Sequence, residues 1–356
     1  MRIVYGVSGE GLGHVREAIE IAEILQLEGH LVKVLTYGER ACESLGRFHP
    51  TRIEGLPLYF DEKGLSLVQT IGKNLHCIPF YVRNWGRLKQ ELRAFRPDVF
   101  LTAYEPFTTI AAHVLRRPLV SMDNQNELRF LRPPAGRQGF AFRVARLATR
   151  ICTYGADWYI VKSFTPFTPG RRDVRVVFPI IQAEIRKLQP REAPYVLVYL
   201  TKPNPGLIRV LQSLAGEVFH VYSHNQAGEA GNVRFRPPGP GFLRDLGDCK
   251  AIIATAGFSL IADALYLRKP YFAVPLKKQF EQTHNANFLR RSGFGASAES
   301  PTRNDLEQFL ARLDQYRERL AGYRFNPAEQ EEMLLGILKT IEAAPDRDAA
   351  VTGACP

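Results

Sequence analysis

The apolar run Ala251-Ile-Ile-Ala254 leads directly into Thr255-Ala-Gly-Phe-Ser-Leu-Ile-Ala-Asp263, a small-residue turn followed by amphipathic helical spacing. The run suits a buried strand, the turn centres on Gly257, and Asp263 falls about two helical turns further on. Strand, tight turn and helix in that order expose backbone N–H groups at a helix N-terminus. There the dipole and the unpaired donors favour an anion such as a diphosphate. Ser259 adds a hydroxyl, and Asp263 is the kind of group that accepts from ribose hydroxyls. Phe280-Glu-Gln-Thr-His-Asn-Ala286 follows shortly after and opens another helix.

The same pattern occurs at the start of the chain. Arg2-Ile-Val-Tyr-Gly-Val7 predicts a strand, Ser8-Gly-Glu-Gly-Leu-Gly-His14 a glycine-rich turn, and Val15, Ala18, Ile19, Ala22 and Leu25 recur at helical spacing before Gly29. Leu31-Val-Lys-Val-Leu35 completes a βαβ unit, which predicts a parallel sheet with its functional loops at the strand C-termini. Further strands are predicted at Val99–Thr102, Pro118–Met122, Asp157–Val161 and Val174–Phe178, and a helix over Leu88–Phe95. The segment Gly64–Trp85 is aromatic and basic. A polar, proline-bounded stretch then precedes a restart at Tyr195–Leu200, with the turn Thr201-Lys-Pro-Asn-Pro205 and strands at Phe219–Tyr222, Val233–Phe235 and Tyr271–Pro275. A length of 356 residues suits two such domains. The expected division is 1–178, a linker over 179–194, 195–342 with a last helix able to pack back on the N-terminal domain, and a disordered tail over 343–356. The fold class is α/β, two Rossmann-like parallel-sheet domains facing each other across a cleft.

Hydrophobic residues at 45% and charged residues at 23% are ordinary for a globular chain. The net charge of +11 points to an anionic partner: a phosphorylated small molecule, an acidic membrane surface or a nucleic acid. Basic residues are spread out and no nucleic-acid module is apparent, so nucleic acid is not expected. Arginines among apolar residues from Phe130 to Arg150 form either a solvated helix face or a segment that rests on an anionic membrane. No stretch is long and apolar enough to span a bilayer, and the first residues lead into a strand instead of a signal peptide, so a cytoplasmic location is expected. The five cysteines are scattered and never in CxxC spacing, which predicts free thiols. No metal-ligand spacing appears among the histidines, and no metal or cofactor is expected.

The first glycine turn is not a dinucleotide fingerprint, because His14 stands where the third glycine belongs, and it lacks the Gly-Lys-Ser/Thr of a P-loop. It resembles instead the N-terminal glycine loop and histidine of GT-B glycosyltransferases that use UDP-sugars. The similarity is strongest to the branch containing the lipid II-forming N-acetylglucosaminyltransferase, the galactolipid synthases and related uncharacterised proteins. Phe242-Leu-Arg-Asp-Leu246 resembles the segment whose backbone reads uracil. Ala256–Asp263 is similar to the diphosphate loop with its ribose-binding acid, here Asp in place of Glu, and Glu281-Gln282 with Asn285-Ala286 resembles the pair that reads donor-sugar hydroxyls. The diphosphate loop carries Thr255 and Ala256 where the family usually has more glycine.

The resemblance implies an inverting transfer from a UDP-sugar to a hydroxyl acceptor, with a lipid-linked or cell-envelope acceptor suited by the basic face. Donor-binding candidates are Gly11, Gly13, Thr201, Phe242, Leu243, Ala256, Gly257, Phe258, Ser259, Asp263, Glu281 and Gln282. His14, Glu105 and Asp123 are the catalytic candidates, each at the end of an N-terminal strand or turn. Each has a plain alternative: His14 as a donor to backbone or phosphate, Glu105 as a helix cap, Asp123 as an Asx turn. Glu281 also suits an exposed helix N-terminus. Two other functions fit the pattern, a sugar-nucleotide epimerase of the same fold and a nucleotide-sugar-binding protein without turnover.

Overall fold

The computed structural model describes residues 1–9, 12–55, 60–61, 64–65, 72, 77–131, 140–200, 204–223, 227–237, 239, 241–276 and 279–344. It divides into two compact units, the first made of Met1–Ile180 with Ala328 onward, the second of Ile181–Pro327.

In the first unit, among the described residues, seven strands form one sheet: β1 (Arg2–Val7), β2 (Leu31–Thr36), β3 (Thr51–Arg52), β6 (Val99–Ala103), β7 (Leu119–Asp123), β8 (Trp158–Lys162) and β9 (Val174–Val177), with β4 (Phe60–Asp61) and β5 (Gly64–Leu65) as a separate antiparallel ribbon. Their order is β3-β2-β1-β6-β7-β8-β9 and every pairing is parallel. Alternate residues serve opposite faces. Ile3, Tyr5, Val99 and Leu101 pack against Val15, Ala18, Ala22 and Leu25 of the helix Leu12–Leu27. Val4, Phe100 and Leu119 pack against Leu88 and Leu92 of the helix Cys77–Phe95 and Phe107 and Ala111 of the helix Pro106–Val114. Covered on both sides, these strands read as continuous apolar runs. The chain leaves β1 in one direction for β2 and β3 and returns on the other side at β6, so the topological switch lies at the C-termini of β1 and β6. Gly6 allows a helix to approach there, since a Cβ at this position would lie 1.8 Å from Thr108 Oγ1.

The helix Cys77–Phe95 begins well before the expected Leu88. Pro79 sits in its first turn, where a missing N–H costs nothing, and the chain continues helical.

The second unit repeats the plan with β10 (Ala193–Tyr199), β11 (Phe219–Tyr222), β12 (Gly228–Ala230), β13 (Val233–Arg236), β14 (Cys249–Ala254), β15 (Tyr271–Ala273) and β16 (Gly295–Ser297). The order is β12-β13-β11-β10-β14-β15-β16, parallel except for β12 against β13. Val196, Val198, Ile253 and Phe272 are packed with Leu207 and Leu211 of the helix Pro205–Gln212 and with Leu306 and Phe309 of the helix Arg303–Leu310. The switch point falls between β10 and β14. The stretch 179–194, expected as a linker, carries the helix Ala183–Arg186 with Ile181 and Ile185 buried, and the boundary between units lies at its start.

The helix Glu329–Glu342 returns to the first unit, alongside β8 and β9. Leu334, Ile337 and Leu338 enter its core. Glu329 Oε2 and Gln330 Oε1 accept from the backbone amides of Phe178 and Ile180, each at 2.8 Å.

Candidate functional site

In the second unit, the loop after β14 is held from beneath. Tyr271, fully buried, donates its hydroxyl to the Thr255 carbonyl at 2.6 Å, and Asn285 Nδ2 donates to the Ala256 carbonyl at 3.0 Å. The Gly257 amide closes back on Thr255 O at 2.8 Å. With both carbonyls tied inward, the turn presents the N-terminus of the helix Phe258–Tyr266, which no side chain caps. Ser259 is exposed and Asp263 is nearly buried one turn further along the same helix face. Asn285 belongs to the helix Phe280–Ser292, so the segment that begins with Glu281 is bolted to the loop after β14 by one side chain. Glu281 is half-buried in the first turn of that helix. Gln282 Oε1 accepts from the Leu276 amide at 2.9 Å, which ties the approach to the helix and spends the Gln282 carbonyl on the loop.

Phe242 and Leu243 lie in the first turn of the helix Gly241–Asp248, both half-buried. The Phe242 ring meets Tyr199 and Tyr222 edge to face, at 5.5 and 5.1 Å between centroids. Beneath it Asp245 Oδ2 accepts from Tyr222 Oη at 2.8 Å and lies 2.7 Å from His220 Nδ1. Burial lowers the His220 pKa against the upward pull of Asp245, and burial raises that of Tyr222. Thus the aromatic corner that contains Phe242 stands on a carboxylate shared by two strand residues.

In the first unit, His14 occupies the first turn of the helix Leu12–Leu27, with Gly13 before it. Its Nε2 lies 3.2 Å from Gln125 Nε2, and the Gln125 carbonyl oxygen is buried without a hydrogen-bond partner among the described residues. Burial, reinforced by the Lys162 charge, lowers the His14 pKa to about 3, so the imidazole is neutral at ordinary pH. Lys162, buried at the end of β8, is ion-paired with Glu17, which stands three residues beyond His14 on the same helix. Glu17 Oε1 in turn accepts from Gln330 Nε2 at 2.6 Å.

Glu105 and Asp123 are both fully buried. Glu105 is the N-cap of the helix Pro106–Val114. Its oxygens accept from the Phe107 and Thr108 amides at 2.8 and 2.6 Å and from Thr108 Oγ1 at 2.5 Å, while burial raises its pKa against those bonds. Asp123 accepts from the Asn126 amide at 2.7 Å, and from Ser121 Oγ and Asn126 Nδ2 at 3.0 Å each; burial raises its pKa to about 6. These are the capping and Asx-turn geometries that the sequence left open for the two residues. Tyr104, between β6 and Glu105, has φ of 58°, a strained conformation located at the switch point.

Gly11 and Thr201, with Lys202 beside it, lie outside the described residues, as do Lys73, His76, Arg132, Arg137 and 345–356. Gln125, Lys162, Glu17 and Asn285 are the site residues that sequence reasoning did not single out as candidates. Asn285 had a signal, its place in the Glu281-Gln282 motif; the others are joined only by the fold. Among the described residues no group of three or more His, Cys, Asp or Glu side chains is placed to hold a metal ion, and no helix is long and apolar enough to cross a membrane.

Compared with known proteins, residues 1–314 match Glycosyl transferase family 1. An uncharacterised glycosyltransferase of Methanosarcina mazei is 23% identical over 332 residues, covering 83% of this chain and 85% of that protein. Among solved structures, the glycotransferase of kitacinnamycin superposes with a TM-score of 0.64 at 16% identity, over 96% of this chain and 98% of the other. The glycosyltransferase VinC in complex with dTDP gives 0.60 at 16% identity, over 97% and 100%. These structures share the two-sheet GT-B architecture.

Proposed function

Since the chain belongs to Glycosyl transferase family 1, and is a glycosyltransferase, we propose that it moves a sugar from UDP to a hydroxyl acceptor with inversion at the anomeric carbon. The observation that carries the donor half is the uncapped N-terminus of the helix Phe258–Tyr266, with its preceding carbonyls tied inward and Asp263 on the same helix. Gly257, Phe258 and Ser259 take the diphosphate, Asp263 the ribose, the Phe242 corner the base, and Glu281 with Gln282 the sugar hydroxyls.

The acceptor is held by the first unit, and a lipid-linked acceptor of the cell envelope is the class that its basic segments suit. His14 is the base of this reading. It is the one candidate of three that is partly exposed, whereas Glu105 is fully buried with its oxygens committed to the N-terminus of the helix that follows it, and Asp123 is fully buried with its oxygens committed to Asn126 and Ser121. The acceptor oxygen bonds to the anomeric carbon, its proton passes to the neutral imidazole, and the bond from that carbon to the diphosphate oxygen breaks. The electron pair leaves with UDP, whose new charge meets the helix N-terminus. This chemistry is proposed to proceed without a metal.

Thermal shift and calorimetry against UDP, dTDP, GDP and their sugar conjugates test the donor assignment. Selective stabilisation by UDP and one UDP-sugar is expected, by about 2 to 3 kcal/mol at a hundredfold excess over Kd, and it is lost in Asp263→Ala. Preference for dTDP, the nucleotide in the VinC complex, would move the donor to a dTDP-sugar and leave the transferase reading standing.

A further inference from the structure

Five of the seven large apolar side chains that stand exposed among the described residues belong to one place in the first unit. Ile110 and Val114 lie on the outer side of the helix Pro106–Val114; Leu147 and Ile151 lie on the outer side of the helix Phe140–Cys152, with Tyr154 just beyond its end. All five are between 42% and 69% exposed. The two helices are joined there, since Thr109 Oγ1 donates to the Cys152 carbonyl at 2.8 Å. His113 Nε2 lies 2.9 Å from the Tyr154 carbonyl, and the two rings are 5.8 Å apart.

The outward stripe of the second helix runs Arg143, Leu147, Arg150, Ile151, so cations and apolar groups share one line at i, i+4, i+7 and i+8. Arg116 stands exposed past the end of the first helix. No Asp or Glu occurs in 106–122 or in 128–156, although the chain carries 36 acidic residues in 356.

We propose that this face, formed by the helices Pro106–Val114 and Phe140–Cys152, docks on an anionic lipid bilayer. Side chains of leucine and isoleucine size set between arginines suit the boundary where acyl chains meet acidic headgroups, the arginines staying at the level of the phosphates. A nucleic acid would satisfy the arginines and leave the apolar stripe in water. A second copy of the same face would set arginine against arginine with no carboxylate to pair, because a two-fold contact brings like surfaces together. The inference does not depend on the donor or on turnover.

The test is co-sedimentation of the purified full chain with vesicles of phosphatidylcholine alone and of phosphatidylcholine with about one third phosphatidylglycerol. The protein is expected to bind the acidic vesicles and not the neutral ones, and to be released as salt rises. Leu147→Glu with Ile151→Glu, and separately Arg143→Gln with Arg150→Gln, should each lower the bound fraction by about tenfold or more. Both pairs are exposed, so the melting temperature should stay unchanged and serves as the check that the variants fold. The proposal is overturned if the wild type ignores acidic vesicles, or if the glutamate pair binds them as well as the wild type. It is equally overturned if sedimentation velocity shows a dimer that the glutamate pair dissociates. Vesicles carry neither donor nor acceptor, so a failure here leaves the donor assignment untouched, and the reverse also holds.

Discussion

His14 owes its neutral state to burial first and to the Lys162 ammonium second, and Lys162 is fixed beside it by Glu17, whose own second oxygen is held by Gln330. Removing Lys162 alone would strand a carboxylate in a mostly buried place, a defect of about 3 to 5 kcal/mol. The useful variant therefore removes the pair, as Lys162→Met with Glu17→Gln. Without the nearby cation the imidazolium is less disfavoured, so the His14 pKa rises from about 3 and the acid limb of kcat/KM moves to higher pH. A pH–rate profile unchanged in the double variant would remove His14 from the base role or Lys162 from its control. The pairs that matter here were invisible in the sequence: His14 and Gln125 are 111 positions apart, Glu17 and Lys162 145, and nothing in local spacing joins them. Glu105 was legible in part, because Glu before Pro at a strand end is a capping signal as well as a candidate base, and only burial and the bonds to Phe107 and Thr108 give the cap its detail.

At the scale of elements, the loop proposed to hold the diphosphate depends on a neighbour outside it. Asn285 reaches from the helix Phe280–Ser292 to the Ala256 carbonyl, and both groups are buried. Asn285→Ala leaves that carbonyl unpaired at about 1 to 3 kcal/mol. It is expected to weaken UDP binding by about tenfold in calorimetry, the equivalent of about 1.4 kcal/mol. UDP affinity equal to wild type would show that the loop holds its shape without this tie. The strands were readable because two-sided burial writes them as apolar runs such as Val99–Thr102 and Ala251–Ala254, whereas their order across each sheet comes from the fold. The helix Cys77–Phe95 was legible only in its last part, where Leu88 and Leu92 give helical spacing; its start is rich in aromatic residues and carries a proline, and neither tells a reader that the first turn has already begun.

For the whole molecule, the decisive feature is that the first unit is not continuous in sequence. Its core includes Leu334, Ile337 and Leu338 from the helix Glu329–Glu342, while 181–327 make up the second unit. Leu334→Ala should therefore destabilise the first unit, by about 2 to 5 kcal/mol, although it follows every residue of the second. Calorimetric unfolding is expected to show a transition moved to lower temperature, with the UDP-dependent stabilisation of the second unit retained. An unmoved transition would mean that the helix contributes little to that core. The same arrangement inverts the order of completion during synthesis. By the time residue 327 has been added the second unit possesses all of its chain, whereas the 180 residues made before it still lack part of their apolar cover beside β8 and β9. The unit whose chain begins to leave the ribosome before the other is thus able to finish folding only after it, and it must keep an open apolar strip from other nascent chains until the helix Glu329–Glu342 arrives.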